Sequence, residues 1–74
     1  MSELEKNMID YFVICVREFA ERYDMLTKDA MLYLDNYGGL DFLEEFYDVQ
    51  HTLSFDDTVD SLAIICRKNG GTVS

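Results

Sequence analysis

The sequence predicts an all-α protein, a compact bundle of about four helices. Three observations carry that expectation. Apolar residues recur at three- and four-residue steps, the period of a helix. Cap and stop residues separate the periodic stretches. No stretch sustains the two-residue alternation of a half-buried strand.

The first helix is expected over residues 2–23. Ser2 with Glu5 has the spacing of a capping box. Leu4, Met8, Tyr11, Phe12, Cys15, Phe19 and Tyr23 form an apolar stripe, and Ile9, Val13 and Val16 widen it, so burial on more than one side is expected. Arg17–Glu21 and Glu18–Arg22 are opposite charges at i,i+4. The stretch from Tyr11 to Val16 is rich in strand formers, but its flanks are helical and no hairpin signal lies near.

A second helix is expected near 28–37, capped by Thr27, with Asp29 in its first turn and Ala30, Met31, Leu34 and Tyr37 as its apolar face. Asn36-Tyr37-Gly38-Gly39 ends it, since glycine tolerates a left-handed C-cap. The third helix is expected near 41–51, capped by Asp41 with Glu44 three residues on. The fourth is expected near 55–68. Ser54 caps it, Asp56 and Asp57 favour its positive dipole end, and Arg67 and Lys68 its negative end. Asn69-Gly70-Gly71 stops it. Short connections favour a long first helix crossed by shorter ones. The expected organisation is one helical domain, 1–69, with a frayed, flexible tail at 70–74.

Composition bounds the function. The chain has 74 residues and a net charge of −9. A single domain of that size buries only roughly 60% of its unfolded surface. Residues 1–28 carry six acids and four bases, whereas Asp29 to Asp60 carry nine acids and no base. Such a surface repels nucleic acid and anionic lipid and suits a basic protein, or simply aids solubility. The apolar fraction, 49%, is too high for a disordered acidic tail. The longest apolar run, Tyr11 to Val16, is too short for a membrane span, and Met1 to Lys6 lacks the basic and apolar regions of a signal peptide. A cytoplasmic protein without contact to nucleic acid or membrane is therefore expected.

Chemistry is sparsely signalled. His51 is the one histidine, and Asp48-Val49-Gln50-His51 sets a carboxylate and an imidazole at i,i+3. Di-iron bundles need two Glu-x-x-His copies, which a lone histidine excludes. A mononuclear metal site from Asp48, His51 and Asp56 or Asp57 is the weaker alternative to a histidine that meets free carbonyls at a helix C-terminus. Cys15 and Cys66 sit among apolar neighbours and read as small buried hydrophobes; a Cys15–His51 dyad fails because burial makes a thiol inert. The sequence does not fix whether the two thiols are close. Gly38-Gly39 follows a helix instead of joining a strand to one, so it is no phosphate loop. Asp56, Asp57 and Asp60 lack the spacing of a calcium loop. No catalytic residue, metal or cofactor is assigned.

The aromatic set is richer: five Phe and five Tyr. Tyr33 falls off the Ala30–Leu34–Tyr37 stripe; Phe42 and Phe46 share one face of the third helix, and Tyr47 is turned from it. Core plus ordinary surface tyrosine is the plain explanation. An apolar face covered by a second copy or another protein is the alternative.

Asn36-Tyr37-Gly38, Leu40, Phe42-Leu43, Phe46-Tyr47-Asp48-Val49 and His51-Thr52, with the opening Met8 to Cys15, resemble a family of short bacterial proteins classed only as a domain of unknown function. The resemblance covers about residues 8–62, and its most specific stretch is Phe-Tyr-Asp-Val-x-His-Thr. It implies a small all-α protein, sometimes encoded beside small proteins that look like ADP-ribosyltransferases, and hence a partner or neutralising role. From Ala63 to Cys66 the chain departs from that family's more polar ending.

The sequence thus points to a small acidic protein-interaction module without catalytic activity, either a homodimer or the partner or neutraliser of a neighbouring enzyme. Phe46, Tyr47, Asp48 and His51 are the expected interaction residues. The alternative is an acidic decoy that mimics nucleic acid and occupies a basic groove of another protein.

Overall fold

The computed structural model describes residues 3–72, with side chains from residue 7. Five helices follow in order: α1 Glu3–Arg22, α2 Thr27–Asn36, α3 Gly39–Glu45, α4 Tyr47–Gln50 and α5 Phe55–Lys68. No strand occurs among the described residues. The expected bundle of about four helices thus fits, except that the third is two. Ser2, the proposed first cap, and the tail residues Val73 and Ser74 lie outside the described residues, as do the side chains of Leu4 and Glu5.

α1 is the spine, and α2, α3 and α5 all pack on it. The core draws Tyr11, Cys15, Val16, Phe19 and Ala20 from α1, and Ala30, Tyr33 and Leu34 from α2. Leu43 of α3 joins them, with Val59, Leu62, Ala63 and Cys66 of α5. Of the three residues that widen the α1 stripe, only Val16 is buried; Ile9 and Val13 stay 49% and 45% exposed. Ten residues of α2 span about 15 Å against about 30 Å for α1, so the early turns of α1 outrun their cover.

Local signals decide the helix ends unevenly. Ser54 caps α5 as its sequence predicts, accepting from the Asp57 N–H at 3.2 Å. α5 stops in a Schellman motif: Gly70 is left-handed at φ 101°, its N–H bonds to the Arg67 carbonyl, and the Gly71 N–H to that of Cys66. α2 begins one residue earlier than expected, so Thr27 lies inside it, and Leu26 holds the extended cap position without a side-chain hydrogen bond. α3 starts at Gly39 after a left-handed Gly38, which moves Asp41 from cap to first turn and dissolves its capping box with Glu44. Glycine at 39 is a packing requirement. A Cβ there would sit 2.7 Å from Leu34 Cδ2 and 3.3 Å from Cys66 Sγ.

α1 ends in a second Schellman motif, with a residue poorly suited to it. The Asp24 N–H meets the Glu21 carbonyl and the Met25 N–H the Ala20 carbonyl, while Asp24 takes φ 54°. A side chain in that conformation is strained where glycine is not. Asp24→Gly is therefore expected to stabilise the fold by about 0.5–1 kcal/mol in urea unfolding. A loss of stability would show that the carboxylate holds the turn.

The expected Glu18–Arg22 pair does not form. Arg22 turns across to α5, donating to Asp60, to the Asp56 carboxylate at 3.3 Å and to the Asp56 carbonyl at 3.2 Å. One guanidinium then serves two carboxylates one turn apart on α5, where an i,i+4 pair within α1 would serve one.

Candidate functional site

The stretch after α3 holds the family-like residues, and its backbone explains how they are displayed. Phe46 breaks the helix (φ −107°, ψ 23°), yet winding resumes at once: the Val49 and Gln50 N–H groups both bond to the Phe46 carbonyl. Helical turns continue past α4, since Thr52 and Leu53 donate to the Val49 and Gln50 carbonyls. Hydrogen-bonded turns thus run from Gly39 to Leu53, interrupted at Phe46.

The inner face is tied to the core. The Tyr47 ring meets the Tyr11 ring edge-on at 5.4 Å, and Gln50 is buried. Thr58, fully buried, is 3.3 Å from the Tyr11 hydroxyl and donates to the Gln50 side-chain oxygen at 3.4 Å. Since that oxygen only accepts, the Tyr11 hydroxyl donates to Thr58. This chain joins α1, α4 and α5, and sequence reasoning missed it. Thr58→Val keeps the shape and removes the link, which leaves two buried polar groups short of a partner. The expected cost is about 1–3 kcal/mol, read as a fall in the thermal midpoint by circular dichroism. An unchanged midpoint would mean that the chain contributes nothing.

The outer face is apolar. Phe46 is 44% exposed, Val49 58% and Leu53 41%, and the half-buried Phe42 ring lies 5.2 Å from that of Phe46. Phe42 and Phe46 thus share a face as expected, with Tyr47 turned inward from it.

The four sequence-predicted residues divide accordingly. Phe46 and Asp48 are exposed on the outer side. Tyr47 and His51 form a stacked pair, rings 4.8 Å apart, with Tyr47 between His51 and Tyr11. His51 Nδ1 lies 2.6 Å from the Tyr47 carbonyl oxygen. A carbonyl can only accept, so Nδ1 carries a proton there. His51 is the C-cap of α4, and its ring shares the Tyr47 carbonyl with the His51 backbone N–H, so that carbonyl is not one of the helix's unpaired ones.

No group of three or more His, Cys, Asp or Glu that could hold a metal ion occurs among the described residues. Both cysteines are free and fully buried. Burial pushes the Cys15 thiol up to about 11, with the Tyr11 side chain beside it acting in the opposite direction. Burial likewise raises the Cys66 thiol and holds the Tyr11 hydroxyl at about 12. Tyr33, placed off its helix stripe by sequence, is in the core, stacked 5.8 Å from Phe19. No helix among the described residues is long and apolar enough to cross a membrane.

Residues 10–69 match a protein family described as a protein of unknown function, DUF3791, and the chain belongs to it. No curated protein and no solved structure matches the chain.

Proposed function

We propose that this DUF3791 member is a small, non-catalytic, cytoplasmic protein-interaction module, whose contact element is the chain from α3 to the start of α5. One observation carries the proposal. Phe46, Val49 and Leu53 stay exposed within a segment, Asp29 to Asp60, that has nine acids and no base. Apolar side chains left in water cost free energy that a partner's surface would recover. Phe46 and Asp48 would touch the partner, while Tyr47 and His51 support them by stacking on Tyr11.

The decoy reading finds less support, because a mimic of nucleic acid needs carboxylates and has no use for an apolar strip between them. An adjacent ADP-ribosyltransferase-like enzyme is one partner that the family resemblance suggests.

The test is site-specific photocrosslinking in the cell that encodes the protein, with a benzoylphenylalanine at Val49 or at Ile64. Ile64 is similarly exposed but lies on α5. Adducts to another protein are expected from position 49 alone. No adduct at 49, or the same adducts from both, would overturn the proposal.

A further inference from the structure

α1 is an uninterrupted helix, and one of its faces is left open. Ile9, Val13, Arg17, Asp10, Glu21 and Ile14 are all exposed. At about 100° per residue they lie in that order within an arc of about 140°. The buried Tyr11, Cys15 and Phe19 lie on the other side, where the remaining helices pack. Asp10 and Arg17 stand about 10 Å apart along the axis, too far to pair within the chain. Neither takes part in an ion pair among the described residues, and the expected Arg17–Glu21 pair does not form.

This face is its own complement. A second α1 can be turned end for end about a two-fold axis that passes between Val13 and Ile14. Asp10 then faces Arg17 of the second copy, Arg17 faces its Asp10, and Val13 faces its Ile14. The axis falls within about 20° of the middle of the open arc. The apolar residues meet at the axis, and an ion pair lies about one turn to either side. Other arrangements lose the match. A parallel pair sets Asp10 against Asp10 and Arg17 against Arg17. Sliding the second copy by one turn sets Asp10 against Glu21.

From this self-complementary register we infer that the open face of α1 takes a second copy of the chain, antiparallel, with Val13 and Ile14 at the axis and two Asp10–Arg17 pairs beside it. The face is separate from residues 42–53, so the dimer stands or falls independently of the contact element proposed above. The interface is small, under about 1,200 Å² in all, and the dissociation constant is expected at about 0.1–1 mM. Both chains are acidic overall, but salt of about 0.15 M screens that repulsion beyond about 8 Å, and the ion pairs at the contact are closer than that.

The test is sedimentation equilibrium of the full chain in about 0.15 M salt, from about 20 µM to about 2 mM. A monomer–dimer equilibrium is expected. Asp10→Arg and Arg17→Asp should each weaken it about tenfold, because like charges then meet twice across the axis. The double reversal, Asp10→Arg with Arg17→Asp, should restore it. So should a mixture of the two single variants, in which every base on the face meets an acid. Val13→Asn should weaken the dimer without any change of charge, whereas Ile64→Asn, on α5, should leave it intact. All of these positions are exposed, and circular dichroism checks that the helices are kept.

Net charge alone predicts a different pattern. Asp10→Arg makes the chain less acidic and would then strengthen association, and the mixture would gain nothing. That pattern would overturn the inference. So would a monomer at every concentration, a dimer that both single reversals leave intact, or single reversals that neither the double variant nor the mixture restores.

Discussion

Replacing Phe19 with alanine is expected to lower the unfolding free energy by about 3–5 kcal/mol, the usual cost of deleting a buried aromatic ring. Phe19 is fully buried. Its ring lies 4.8 Å from Tyr23 and 5.8 Å from Tyr33, so it joins α1, the turn after it and α2. A domain of this length holds only about 4–11 kcal/mol in all. The variant should therefore sit near the midpoint of unfolding at ambient temperature, seen as lost helical ellipticity and a transition at low urea. Phe19→Leu refills most of the volume and should recover about half of the loss. Ile64→Ala, on the exposed face of α5, should stay within about 0.5 kcal/mol of the parent. A Phe19→Ala protein that unfolds at the parent's urea concentration would show that the three-ring cluster is not the centre of the core.

The same ring shows why some of the fold was legible and some was not. Phe19 lies on a seven-residue stripe that any helical wheel of α1 reveals. Tyr33 lies off the stripe of α2, and only its stacking on Phe19 places it in the core. α5 was readable from end to end because its Ser54 cap and acidic start, and its basic end and glycine stop, each act within a few residues of the terminus they mark. Leu26 caps α2 without any side-chain bond, so nothing in that local sequence could announce it. Gly39 was readable as a stop but not as a contact point with Leu34 and Cys66, which needs two other helices in place. Arg22 had a partner four residues away and took two from α5, more than thirty residues on.

The candidate site was legible to a similar degree. The spacing of Phe42 and Phe46 was visible in sequence, as was the lack of any base from Asp29 to Asp60. What was hidden is the break at Phe46, and with it the sorting of Tyr47 and Gln50 inward and Val49 outward. Thr58 was hidden too, because a threonine in the first turn of a helix ordinarily reads as surface. Its burial follows from α5 crossing α1 at Tyr11, a long-range event.

That crossing also sets how the fold responds to alkali. Tyr11 and Cys15 both ionise by losing a proton to become anions, and burial disfavours the anions. Tyr11 is held at about 12, against 10.0 ordinarily, and Cys15 at about 11, against 9.0. Each folded value is raised, so the unfolded chain releases its proton first. Below pH 9 both groups are protonated in either state, and their contribution to stability is fully present. As pH rises through 9 to 11 the Cys15 contribution is lost, and from 10 to 12 that of Tyr11. While one proton separates the two states, the slope is at most about 1.4 kcal/mol per pH unit. The overlap between pH 10 and 11 is therefore the steepest region. Urea midpoints measured at pH 8, 9.5 and 11 should fall progressively, with most of the loss in the last step. Cys15→Ala should remove its share of the loss that begins near pH 9, the buried Cys66 thiol keeping the rest, and Tyr11→Phe the part that begins near pH 10. Each variant starts from a lower stability at pH 8, but its curve should be flatter above that point. Parallel curves for all three proteins would place the alkaline loss in other groups and reject the buried Tyr11–Cys15 pair as its source.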